Sequence, residues 1–175
     1  MDDRREYLRI KTSVPVLLKK IHREDAYPTF RVNSDLSLQF DFNYKELGLP
    51  EGLSLFFKYL DEKLDLIISL LGIDLLDREF DFKTTGIELS EGAVKCICDF
   101  QGIGVGDLVE VVIYLSHIPL VLVSAMGRVI KKERQEEGEY LVIVFEKIRD
   151  RDRELIVRFV FQEQREKIRS EKEDF

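Results

Sequence analysis

Three guanidiniums stand within six residues, Arg4, Arg5 and Arg9 of Arg4-Arg5-Glu6-Tyr7-Leu8-Arg9-Ile10, just ahead of the apolar run Val14-Pro15-Val16-Leu17-Leu18. Arginine forks are planar, permanently charged and matched to planar acceptors, so such a collar suits phosphate oxygens or a guanine edge. A cationic cluster near a terminus is commonly a solvated face and gains meaning only with a second motif. That motif is Gly86-Ile87-Glu88-Leu89-Ser90-Glu91-Gly92-Ala93, which sets an acid, a hydroxyl and a glycine at short spacing between two strand-like runs.

Charge is distributed to match. The chain of 175 residues has a net charge of −7, which argues against a general nucleic-acid binder and predicts no DNA partner, because that function leaves a basic footprint on a whole domain. Residues 1–23 hold seven Lys/Arg against three acids, net +4, whereas residues 24–82 hold five against thirteen, net −8. Positive charge is concentrated where an anionic ligand would be met.

The elements that must position these groups are legible from period. Val14 to Ile21 reads as a strand, with Pro15 near its start where a missing N–H is tolerated. Residues 22–43 lose regular period, although Leu36 to Phe42 alternates like a strand. Leu53, Phe57, Leu60, Leu64, Ile67 and Leu71 then step by four and three, a heptad seam on a helix over about 53–76, started by Gly48, Pro50 and Gly52 and open to a bend or stop at Gly72. Phe56, Leu66, Ile68 and Leu70 widen that seam, which predicts a homo-oligomer above a helix folded back on its own domain. Phe80 to Leu89, Ala93 to Phe100, Val109 to Leu115, Leu120 to Lys132 and Glu139 to Glu146 complete six β elements, favouring a small antiparallel barrel. Gly102, Gly104 and Gly106 mark a loop and not a dinucleotide fingerprint, since no helix follows them. Asp150 to Arg169 reads as a helix that places Leu155, Ile156, Phe159, Val160 and Ile168 largely on one side and covers a barrel mouth, with Ser170 to Phe175 frayed.

Arg5-x-x-x-Arg9 followed by an acid-x-Ser-x-x-small turn resembles the PilZ family, the bacterial receptors for cyclic di-GMP. The resemblance continues in Gly106-Asp107-Leu108-Val109, Met126-Gly127-Arg128-Val129, Tyr140 to Phe145 and the helix from Asp150. It covers roughly Arg4 to Ile21 and Lys83 to Arg169, and leaves residues 22–82 as an insertion into a single domain spanning 1–175. It implies a six-stranded antiparallel PilZ-like β-barrel with a C-terminal helix, to which the heptad spacing adds an inserted long helix of coiled-coil character, a mainly β protein with α elements. It also implies that Arg5 and Arg9 take guanine and phosphate contacts, that Arg4 adds another, and that Glu88, Ser90 and Ala93 meet the ligand from the barrel. Glu88 stands where the family has Asp or Asn, and Ala93 where it has Gly; only Ser90 keeps the pattern. The expected behaviour is a cationic arm that closes on the barrel when cyclic di-GMP binds and presents a surface to a downstream protein partner. Motility, pilus or exopolysaccharide control is the implied output. A scaffold that has lost the nucleotide is the competing class.

Other chemistries find little support. His22 and His117 neighbour no recognisable nucleophile motif, and the acids are not spaced as a metal-ligand set, so neither enzyme nor metalloprotein is expected, and no cofactor. Cys96 and Cys98 alternate about Ile97, which predicts buried thiols on one face of a strand and no mutual disulfide. Met1-Asp2-Asp3-Arg4 is polar and no apolar run is long enough for a bilayer, so a cytoplasmic protein without a membrane span is expected.

Overall fold

The computed structural model describes residues 8–22, 28, 48, 50–117 and 120–173; within its two helices residues 68, 69, 72–75, 77 and 171–173 are described by their backbone alone. Six strands, β1 (Ile10–Ile21), β2 (Phe82–Ser90), β3 (Ala93–Ile97), β4 (Leu108–His117), β5 (Leu120–Gln135) and β6 (Gly138–Ile148), and two helices, α1 (Glu51–Glu79) and α2 (Asp150–Glu173), follow in the order β1 α1 β2 β3 β4 β5 β6 α2. The strands close into a barrel ordered β1-β2-β3-β6-β5-β4, and every pairing is antiparallel. Closure leaves no open edge for another strand to extend.

Alternation sorts the side chains of β3 and β6, whereas β4 is buried on both faces from Leu108 to Tyr114. Val94 and Cys96 of β3 and Leu141 and Ile143 of β6 point inward and are buried together with Val16, Leu18, Val111 and Val129. Lys95, Val142 and Val144 take the opposite phase and face out. Gly127 of β5 sits where a Cβ would meet Ile143 Cγ2 at 2.5 Å and the Val144 carbonyl oxygen at 3.0 Å; only glycine lets β5 and β6 approach there, next to a break in their register.

The resembling segments are barrel joints. Gly106 donates its N–H to the Val129 carbonyl at 2.8 Å, and Val129 returns one to Asp107 at 3.0 Å. Asp107 also accepts from the Gly104 N–H at 2.9 Å and from Lys20 at 2.8 Å. Arg128 donates to the Gly106 carbonyl at 3.0 Å and to Glu146 at 2.6 Å. Cys96 and Cys98 are free and buried on one face, as their spacing predicts, and burial pushes the Cys96 thiol up to about 12.

α2 covers the barrel through Ile156 and Val160, which join the core, with Leu155 and Phe159 packed against it. Each such burial is worth about 1.5–3 kcal/mol. Ile168 departs from the expected stripe: it is 46% exposed and borders an open concavity beside the start of β1. The helix also runs on to Glu173, so Ser170 to Glu173 continues it where fraying was expected; residues 174 and 175 lie outside the described residues.

α1 is the longer helix, 29 residues. It starts at Pro50, whose carbonyl accepts from Leu53 and Ser54 at 2.9 and 3.0 Å, and it passes through Gly72 without stopping. Its foothold on the barrel is Leu76, buried with Leu17, Val112, Tyr114 and Leu122 against Phe80 and Leu120. The seam residues Leu53, Phe57, Leu60, Leu64, Ile67 and Leu71 are all exposed, as are Leu55, Phe56, Tyr59 and Leu70. Of the sixteen exposed large hydrophobic side chains among the described residues, ten therefore lie on this one helix, an apolar surface that a lone soluble domain rarely carries. The strand expected over Leu36 to Phe42 lies outside the described residues. No described helix is long and apolar enough to cross a membrane.

Candidate functional site

The β2–β3 hairpin brings the second motif to the barrel wall. Glu88 ends up opposite Lys95 on β3 and opposite Lys11 on β1, so the carboxylate is flanked on both ladders by ammonium-bearing positions, a favourable cross-strand arrangement. Ser90 is buried and its hydroxyl donates to the Ala93 carbonyl at 3.2 Å. That bond ties the turn, and the hydroxyl oxygen keeps acceptor capacity. Ala93 is half-buried, and no non-glycine residue among those described has positive φ. The backbone at Ala93 therefore places no demand for glycine; the methyl matters only as bulk. The turn is braced from behind, Phe145 donating its N–H to the Gly92 carbonyl at 2.8 Å and Arg153 of α2 reaching Glu91 at 3.3 Å.

These groups share one concavity of about 190 Å³ on the outer wall. It is lined by Arg9, Glu88, Ser90 and Ala93 together with Lys95 and Glu133, over a floor that includes Ile130, Val142 and Val144. Arg9 and Ser90 are 81 residues apart in sequence, and the β1–β2 pairing of Ile10 with Leu89 is what joins them. Arg4 and Arg5 lie outside the described residues. Arg9 is exposed and also borders a second concavity, about 810 Å³, between the start of β1 and the end of α2 near Glu163, Glu166 and Lys167.

Lys95 and Glu133 were not among the residues singled out from sequence. Lys95 Nζ lies 3.2 Å from Glu133 Oε2, with side-chain exposures of 14% and 22%, and 5.0 Å from the centre of the Tyr140 ring. Lys131 pairs with the other oxygen of Glu133 at 2.5 Å. Hydrogen bonds from Lys131 and Lys95 hold the Glu133 carboxyl below its ordinary range. The signal for Lys95 was available, since it follows Ala93 by two and shares the outward phase; Glu133 is 38 residues further on, and no local pattern links it to the hairpin.

The wall thus offers a cation at its rim, a cation in its side, two carboxylates, a hydroxyl and an apolar floor, a donor set suited to an anionic ligand with a flat apolar part. The PilZ domain model matches residues 69–162, more than half of the chain. The chain belongs to the PilZ domain family. PilZ domains are ligand-binding or effector modules of the cyclic di-GMP receptor type. The family match takes in Glu88, Ser90 and Ala93 and leaves the arginine-bearing N-terminal segment outside it. Among solved structures, a Xanthomonas campestris protein described as a new tetrameric PilZ domain self-assembled via an unusual helical bundle is similar at a TM-score of 0.59 and 18% identity, over 94% of this chain and 92% of that one. A Bacillus subtilis inhibitor of motility (MotI/DgrA) is similar at 0.54 and 11% identity, over 94% of this chain. This PilZ chain spans about half, 53%, of the length of that Bacillus protein. At these identities the likeness is one of fold. No curated protein matches the chain in sequence.

Proposed function

We propose that this PilZ protein is a cytoplasmic receptor for cyclic di-GMP, a non-enzymatic effector in bacterial signalling that reports the nucleotide to a downstream protein partner. The observation that carries the reading is the convergence of Arg9, Glu88, Ser90 and Ala93 on one concavity, the positions at which PilZ receptors meet their ligand. Cyclic di-GMP has two phosphates and two guanines, and a concavity of about 190 Å³ is small beside the ~300–1,000 Å³ of ordinary ligand pockets. Most of the nucleotide would stand proud of the wall and require covering from outside. Arg4 and Arg5, five and four residues before Arg9 in the same segment, supply forks for that cover, so binding closes the N-terminal segment over the ligand. Motility, pilus or exopolysaccharide control is the output class. Calorimetric titration with cyclic di-GMP tests the reading: the unsubstituted protein binds and Arg5→Ala/Arg9→Ala does not. Equal heats from both overturn it.

α1 makes the protein a homo-oligomer in this reading, through Leu53, Phe57, Leu60, Leu64, Ile67 and Leu71, all exposed on a helix anchored at Leu76. The Xanthomonas relative, named for its helical bundle, supports the same use of a long helix. A second reading rests on the hairpin itself. Glu88 is longer than the family's Asp, Ala93 carries a methyl, and the Ser90 hydroxyl already donates to Ala93; a PilZ scaffold that assembles through α1 without nucleotide fits those three facts. A flat calorimetric trace from an intact oligomer selects it.

A further inference from the structure

We infer that Lys95 is a ligand-contacting cation of the barrel wall and that Glu133 is its internal competitor, so that the nucleotide phosphate must take Lys95 from a carboxylate of the protein. The inference rests on the receptor reading above and adds to it a residue pair that decides affinity. Lys95 stands one strand across from Glu88 and lines the concavity beside Ser90 and Ala93. It is held in place before any ligand arrives: only 14% of its side chain is exposed, the ammonium lies over the Tyr140 ring at 5.0 Å, and Glu133 is 3.2 Å away. A restrained ammonium gives up little side-chain entropy on binding an anion, unlike the exposed Arg9.

Charge counting explains why the pair matters. The concavity is lined by two cations, Arg9 and Lys95, and two carboxylates, Glu88 and Glu133, so their formal charges cancel, whereas the ligand brings two negative charges. Glu133 is shared between Lys95 and Lys131. When a phosphate oxygen approaches Lys95, Glu133 retains Lys131 as its partner, and the ammonium can turn to the ligand without leaving a partly buried carboxylate unpaired. Glu133 therefore opposes binding by neutralising the wall, but its second lysine lets it yield.

The two halves of one ion pair then act in opposite directions on binding, which no purely structural role produces. Calorimetric titration of the full chain with cyclic di-GMP, alongside thermal melts, is the experiment. Lys95→Gln is expected to weaken binding about tenfold, the value of one charge-assisted hydrogen bond, and Glu133→Gln to strengthen it about threefold, while both lower the melting temperature slightly because both break the same pair. Unchanged affinity in Lys95→Gln, or a shift of both variants in the same direction, overturns the proposal and leaves the receptor reading in place. No heat with the unsubstituted protein overturns both.

Discussion

Arg153 of α2 donates from Nη1 to Oε1 of Glu91 at 3.3 Å, joining the C-terminal helix to the turn that carries Ser90 and Ala93. The helix is fixed to the core within the next two turns by Ile156 and Val160, so the bond references the hairpin tip to a rigid element. Both side chains are partly exposed. Arg153→Ala is therefore expected to cost less than about 1 kcal/mol of stability in urea denaturation, yet to weaken cyclic di-GMP binding about threefold by loosening the turn. A stability loss with unaltered affinity would show that the tip is positioned by the Phe145 to Gly92 bond alone.

The two departures from the family motif can be reversed separately. At Ala93 the backbone is not left-handed, so Ala93→Gly relieves bulk and adds chain entropy to a strand end, at a cost of about 0.5–1 kcal/mol. Glu88→Asp withdraws the carboxylate by one methylene. The double variant is expected to bind cyclic di-GMP about tenfold more tightly than the parent, each change contributing on the order of 0.7 kcal/mol, as read by calorimetry. No gain would mean that Glu88 already reaches the ligand and that the methyl meets nothing.

Asp152 sets a pH dependence at the root of α2. It is buried, and burial raises its carboxyl above the ordinary 3.8 even though the Ser124 N–H, Arg149 and Arg151 pull the other way. A raised folded value means that the native state binds more protons than the unfolded chain from 3.8 up to that value. Stability falls as pH rises through this window and stays lowered above it. Asp152→Asn keeps an acceptor for Ser124 without the charge. It is expected to melt higher than the parent at neutral pH, the difference closing once the pH drops below the carboxyl's unfolded value. A variant that melts lower throughout would mean that the Arg149 and Arg151 charges outweigh burial.

Assembly has its own test. Leu60→Asp/Leu64→Asp puts two carboxylates into the exposed seam of α1 and leaves the barrel untouched. Light scattering is expected to show the parent as an oligomer and the variant as a monomer, with the same melting behaviour of the barrel. A monomeric parent at high micromolar concentration removes α1 as the assembly element.

β1, β3 and β6 were legible because inward Val, Leu and Ile alternate with outward polar or half-exposed positions, whereas β4 is an apolar run buried on both faces from Leu108 to Tyr114, its outer Val112 and Tyr114 packed with Leu76 of α1. The seam of α1 was legible for the same reason, a period held over five steps. Gly72 was a weaker guide: a glycine inside a long apolar period costs about 1 kcal/mol, which the flanking turns absorb, and the helix continues to Glu79. Glu88, Ser90 and Ala93 were singled out by their resemblance to the second PilZ motif, and the β1–β2 register brings Arg9 to them. The Lys95–Glu133 pair was out of reach, because its partners sit on β3 and β5 and meet across β6, a neighbourhood written by topology and by nothing local.

A helix of 29 residues is about 44 Å long, and it is gripped near one end, at Leu76. Rigid rods held that way are levers: tilting the rod by roughly 5° about its grip carries the far tip through roughly 3 Å. Slight repacking among Leu17, Val112 and Tyr114, too small to disturb the strands they belong to, becomes a displacement the width of a side chain at Leu53.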